Sequence, residues 1–171
     1  MNFLVGYWQA VGVNAQLSPV DRNLLYSRKE ANDQDCVVWC GNGGSQLGAF
    51  VDPRGYFPHN IEANYAVPRA LWFTNAENAQ AQPEEPPEAT TQQMELYRQI
   101  EATADPDEQN ALFAETLQIA QEQFYAIGIT LPGPGYGIVK NGFKNVMNDM
   151  PEEWTYPNPA PTNPEQYFKM S

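Results

Sequence analysis

Histidine occurs once and cysteine twice in these 171 residues. Cys36, Cys40 and the distant His59 fall short of the four ligands, at characteristic spacings, that structural zinc takes, so no metal site and no cofactor are expected. In an extended segment the Cα atoms of Cys36 and Cys40 lie about 13 Å apart, which forbids a direct bridge. Two buried, inert thiols are the expectation. Positive charge is scarce as well: nine Lys and Arg stand against 21 Asp and Glu, a formal net charge of −12. A nucleic-acid partner needs a cationic face that nothing here provides. No run of about 18 apolar residues occurs, so no membrane span is expected. Residues 1–10, though apolar, have neither a positive n-region nor a long apolar h-region, and read as the tail of an amphipathic helix in something larger, not as a signal peptide.

Familiar catalytic patterns are missing too. There is no Gly-x-Ser-x-Gly elbow, no Gly-x-x-x-x-Gly-Lys phosphate loop and no His-Glu-x-x-His helix. His59 sits in the turn Pro58-His59-Asn60, where a lone surface histidine is more often structural than catalytic. Glu84-Glu85 and Glu152-Glu153 are adjacent pairs in proline-rich stretches, which suits solvation better than a two-carboxylate hydrolytic site. The chain does not read as an enzyme.

What is present is core material: 42% hydrophobic residues with four Trp, nine Tyr and eight Phe, enough for one globular domain. Residues 2–11 read as a helix ending at Gly12, and residues 13–17 alternate apolar and polar like a half-buried strand. Asp21 is placed to cap a helix through about Ala31, with Leu24, Leu25 and Arg28 on one face. A strand-type segment follows at 35–40. Residues 41–89 read largely as long ordered loop, with a helix or strand near 61–73 and an exposed proline and acid connection at 80–88. Helical signal returns from Thr90 to Ala104, with Tyr97, Ile100 and Ala104 on one side. Asp105-Pro106-Asp107-Glu108 supplies an N-cap, a proline at the first helical position and a capping-box glutamate for a second helix, on which Phe113, Leu117, Ala120 and Phe124 recur. Strands are expected at 127–131 and 136–139 before a turn at Asn141-Gly142. Residues 148–171, rich in Pro with Trp154, Tyr156, Tyr167 and Phe168 among them, read as an extended tail that packs across another surface.

The richest stretch for function is Asp35-Cys36-Val37-Val38-Trp39-Cys40-Gly41-Asn42-Gly43-Gly44, followed by Asp52-Pro53-Arg54-Gly55-Tyr56-Phe57-Pro58. An apolar segment empties into a glycine-rich turn, where glycines permit positive φ and bring backbone N–H groups close to a small polar ligand. Trp39 and the rings of Tyr56, Phe57, Trp72 and Phe73 are candidates to stack on sugars, although taken singly each ring is more often core.

A wider set of segments recurs in a fixed order. Trp8-Gln9-Ala10-Val11-Gly12-Val13 closes the first helix, then come a strand, a helix and Asp35 to Asn42. Asp52-Pro53, Leu96-Tyr97-Arg98-Gln99-Ile100-Glu101 leading to Asp105-Pro106, and Ala126-Ile127-Gly128-Ile129 follow. Asn141-Gly142-Phe143-Lys144-Asn145-Val146 and Pro164-Glu165-Gln166-Tyr167-Phe168 close the series. In this order and spacing the chain resembles the carboxy-terminal part of the family 5 extracellular solute-binding proteins, the peptide, nickel and oligosaccharide receptors of ABC importers.

That resemblance implies an α/β fold, an incomplete carboxy-terminal lobe of the type II periplasmic-binding-protein kind (residues 1–142) with an extended proline-rich tail (residues 143–171) that packs on a first lobe. It implies a ligand site at Trp39, Cys40, Gly41, Asn42, Gly43 and Tyr56 in an interlobe cleft, a peptide or oligosaccharide ligand, an ABC transporter permease as partner, and a periplasmic or extracellular location. Full family members are several times longer, so a fragment, or a missing amino-terminal lobe supplied separately, is expected. In the family the position of Asn42 is commonly an Asp that holds a peptide's amino group. A neutral amide offers both donor and acceptor, which suits hydroxyls or a peptide amide better than an ammonium. The alternative from another class is a protein-interaction or scaffold module with an acidic surface.

Overall fold

The computed structural model describes residues 1–41, 46–77, 80–130, 133, 135–150 and 160–170. Among these, six helices carry the structure: α1 (Asn2–Ala10), α2 (Arg22–Glu30), α3 (Gln46–Val51), α4 (Val67–Thr74), α5 (Glu88–Ala102) and α6 (Pro106–Gln123). A two-stranded antiparallel sheet pairs β1 (Phe143–Lys144) with β2 (Phe168–Lys169), with Phe143 opposite Lys169 and Lys144 opposite Phe168.

Local chemistry explains where the helices start and stop. The Asp21 carboxylate accepts from the N–H groups of Asn23 and Leu24 at 2.9 and 3.2 Å and so caps α2, satisfying donors that a helix start leaves orphaned. Asp105 does the same for α6, accepting from Asp107 and Glu108 at 2.9 and 3.4 Å, with Pro106 in the first turn. The expected capping box is only half formed, because the Glu108 carboxylate accepts from the Thr103 hydroxyl at 2.7 Å and the Asp105 N–H donates to that hydroxyl at 3.3 Å. Gly12 closes α1 at φ +88, donating to the Gln9 carbonyl, in the left-handed region that favours glycine.

The antiparallel pair α5 and α6, joined by a short turn, is the main helix–helix contact, and the core forms against it. Phe57, Met94, Tyr97, Ile100 and Phe113 are buried together, with Ala49, Phe50, Phe73 and Leu112 packed around them. Phe50 stacks on Phe113 at 4.5 Å between centroids, and Phe57 leans on Tyr97 at 5.6 Å, so segments from α3 and the following loop are bound to the helix pair by aromatic contact. The face of α6 differs from the expected one. Phe113 is buried as expected, but the stripe continues through the buried Thr116 in place of Leu117, which is exposed, and Phe124, in the left-handed C-cap, is 66% exposed. Ala104 lies beyond the end of α5, which is capped at Thr103.

The strand-type segments have no ladder. Residues 13–17, 35–40, 127–130 and 136–139 are irregular, and their side chains Val13, Leu17, Val38, Ile127, Ile129, Ile138 and Val139 are exposed. Alternation describes which faces a segment offers, but a strand exists only when a neighbour accepts its backbone groups. No such neighbour is present among the described residues. Residues 41–89 hold more helix than expected, since α3 and α4 both fall there. The acidic connection returns along α4: the Glu84 N–H donates to the Pro68 carbonyl at 3.0 Å and its carboxylate pairs with Arg69 at 3.3 Å.

The tail closes on itself at Gly142. Its φ is +87 and a Cβ there would come within 3.3 Å of the Met170 carbonyl oxygen, while the Met170 N–H donates to the Gly142 carbonyl at 2.9 Å. The Asn145 amide adds a bond to the Gln166 carbonyl at 3.1 Å.

Candidate functional site

The helix α2 organises the surroundings of Trp39. Its cap at Asp21 fixes the first turn, and Arg22, Tyr26 and Lys29 then recur at i, i+4 and i+7 on one face. The Arg22 guanidinium donates to the Tyr26 hydroxyl at 3.2 Å and lies 5.3 Å from the Tyr26 ring centroid and 5.7 Å from that of Trp39. The two rings meet edge to face at 6.0 Å. Trp39 keeps 40% of its surface in water. The product is an exposed aromatic ledge with a cation lying across both rings.

Beneath the ledge sits a buried amine. Lys29 is only 3% exposed, its ammonium 4.5 Å from the Tyr26 ring centroid and 3.7 Å from the Glu62 carboxylate. Glu62 also pairs with Arg54 at 3.7 Å, and Arg54 with Asp52 at 3.0 Å. This corrects the expected face of α2: Leu24 is exposed, and the buried position is Lys29, where the Glu62 carboxylate and the Tyr26 ring receive the charge as the stem packs.

Of the site residues read from the sequence, Trp39, Cys40 and Gly41 lie in the irregular segment after α2, and Asn42 and Gly43 lie outside the described residues, as does Gly44. Gly41 is not among the glycines with positive φ and a Cβ there would meet open space, so neither a special backbone conformation nor a close approach requires glycine at that position. Cys36 and Cys40 are free and exposed, contrary to the expected burial, since no sheet covers their segment. Tyr56 stands elsewhere, 37% exposed and edge-on to Phe113 at 5.7 Å, with its carbonyl accepting from the Gln93 amide at 3.3 Å. No ring contact among the described residues joins it to Trp39. Phe57 is fully buried core, Phe73 packs against the same core, and Trp72 is 37% exposed.

The expected surface histidine is half-buried. His59 lies 4.8 Å from Tyr97, 5.8 Å from Phe57 and 6.0 Å from Phe73 between ring centroids. Burial holds its pKa below the ordinary value, outweighing the opposite pull of Asp52 and Glu101, and Arg54 pushes the same way as burial. Sequence reasoning overlooked Arg22, Tyr26 and Lys29, although their 4 and 3 spacing just before an exposed Trp was a readable signal.

Among the described residues no group of three His, Cys, Asp or Glu side chains is placed to hold a metal ion, and no helix is long and apolar enough to cross a membrane. A ring face beside fixed donors can bind a ligand by stacking and hydrogen bonding. No protein-family model matches the chain, and no curated protein matches it either.

Proposed function

We propose that this chain is the carboxy-terminal part of a solute-binding receptor of an ABC importer. It contributes one wall of an interlobe cleft that takes oligopeptides or oligosaccharides for transport, and performs no chemistry of its own. The wall is built on Trp39, Cys40, Gly41, Asn42 and Gly43, with Tyr56 on a separate part of the surface. Ligand contacts favour a closed arrangement of two lobes over an open one, and a transporter permease reads the closed form outside the cytoplasm.

The observation that supports this reading is the set of unpaired strand-type segments. Residues 35–40 and 136–139 have strand patterning, no ladder and exposed apolar side chains, including Ile138 at 91%. In a two-lobed receptor a sheet completed by other segments gives them their partners and covers those side chains. The exposed face of Trp39 supports the placement of the ligand.

Titration calorimetry against oligopeptides and oligosaccharides tests the proposal, on the chain alone and on the chain joined to a first-lobe segment. Binding of one ligand class by the joined protein, lost in Trp39→Ala, is expected. A joined protein that folds yet binds neither class overturns the reading in favour of a protein-docking module with an acidic surface.

A further inference from the structure

The turn that carries the sole histidine is wired to the buried amine beneath Trp39. The Asn60 side-chain oxygen accepts from the Glu62 N–H at 2.9 Å, so its orientation is fixed: a backbone N–H can only face an acceptor. The Asn60 amide nitrogen then points at His59 Nδ1, 3.1 Å away. Nδ1 must therefore be the acceptor and the proton must sit on Nε2, which makes the ring neutral. A proton on Nδ1 would set donor against donor. Relief requires rotating the Asn60 amide, which breaks its bond to Glu62. Glu62 is the residue whose carboxylate anchors Lys29 of α2 at 3.7 Å, and Lys29 in turn faces Tyr26, which supports Trp39.

We propose that His59 is a pH-sensitive latch: its neutral ring, held by Asn60, locks the 59–62 turn and through Glu62 fixes α2, and protonation releases both. The groups facing the ring are Asp52 and Glu101, which favour the imidazolium, and Arg54, which opposes it, with the neutral rings of Tyr97, Phe57 and Phe73 packed around. Arg98, on α5, lies over the far partner Phe73 at 4.9 Å. Burial dominates this balance and holds the folded pKa below that of the unfolded chain. Stabilisation by the latch is therefore complete above the ordinary histidine pKa and is lost as pH falls through it toward the folded value. This inference stands apart from any ligand at Trp39.

The chain has one imidazole, so a single nuclear magnetic resonance titration reads it without assignment ambiguity. The expected result is the Nε2–H tautomer at neutral pH and a midpoint below 6.5, with the protection factors of amides in residues 22–30 and 60–63, taken relative to the intrinsic exchange rate at each pH, falling as pH drops toward that midpoint. The loss of protection should reach about tenfold for each unit by which the folded midpoint lies below that of the open form. His59→Gln should remove this pH dependence between pH 5.5 and 7, and Asn60→Asp, by giving Nδ1–H an acceptor, should raise the midpoint above 6.5. A wild-type midpoint at or above 6.5, an Nδ1–H tautomer, or protection factors in α2 that ignore the protonation of His59 would each overturn the latch. These readouts come from the unaltered chain and stand even if a variant fails to fold.

Discussion

The side-chain nitrogen of Gln93 donates to the carbonyl oxygen of Thr116 at 2.9 Å, inside the contact between α5 and α6, with Gln93 completely buried. The same nitrogen donates to the Tyr56 carbonyl at 3.3 Å, so one amide ties the long loop to both helices. Its own oxygen is buried without a partner, a standing cost in the buried layer between the two helices.

Two carbonyls therefore depend on the Gln93 amide. Gln93→Ala is expected to cost about 2–4 kcal/mol, combining lost packing with lost hydrogen bonds. Gln93→Glu is expected to be worse at neutral pH than near pH 4, because a carboxylate would face two carbonyl oxygens until it takes up a proton. Denaturant melts of both variants at the two pH values check this; a Gln93→Glu protein insensitive to pH would remove the amide from its assigned role.

Tyr97 governs the alkaline side. Its hydroxyl donates to the Phe50 carbonyl at 2.9 Å, and burial, aided by Glu101 and Asp52, pushes its pKa up to about 12. The unfolded chain releases that proton near pH 10, so the stabilisation is whole below pH 10 and is lost as pH rises through about 12. Tyr65, buried against Tyr125, is raised for the same reason. Tyr97→Phe is expected to cost about 1 kcal/mol at pH 7 and to flatten the decline in stability above pH 10. Stability curves from pH 8 to 11.5 read both effects.

The helices were legible because their signals are local. Asp21, Asp105 and Pro106 announce starts that need only the next three residues, and α2 and α6 begin where those signals place them, while α5 begins two residues before the expected Thr90. The segments at 13–17, 35–40 and 136–139 were misread for the opposite reason: a strand is a relation between two stretches of chain, and alternation names only one of them. The ledge at Trp39 was half legible. Trp39 stands out in its sequence context, but the Arg22 and Tyr26 that frame it lie on a different face of α2 from Leu24, Leu25 and Arg28, which the apolar pattern marks as the inward side. Lys29 was hidden because burial of an amine depends on Glu62, a residue 33 positions away that no periodicity connects to it.

The cap of α6 offers a separable measurement. Asp105→Ala removes bonds to two N–H groups and is expected to cost about 1 kcal/mol. Because Glu108 is engaged by Thr103 and not by the Asp105 backbone, Glu108→Ala should act through Thr103. A double-mutant cycle on Thr103→Val and Glu108→Ala is expected to show coupling, whereas Glu108→Ala and a change at the distant Asp21 should add. Coupling energies from urea melts decide between the two geometries.

Lys29 provides the sharpest test of what a buried amine does here. Its stem is covered and its charge leans on a half-exposed Glu62 and on the Tyr26 ring. Solvent screens that ion pair, so Glu62→Gln should cost only about 1 kcal/mol. Lys29→Met keeps the packed stem while discarding the charge and its desolvation, and should be close to neutral in global stability while freeing the local opening of α2 from the His59 latch. Lys29→Ala leaves a void beside Tyr26 and should cost about 2 kcal/mol. If Lys29→Met proves as damaging as Lys29→Ala, the charge and not the stem dominates the global stability of this contact, and Glu62→Gln must then be as damaging as either.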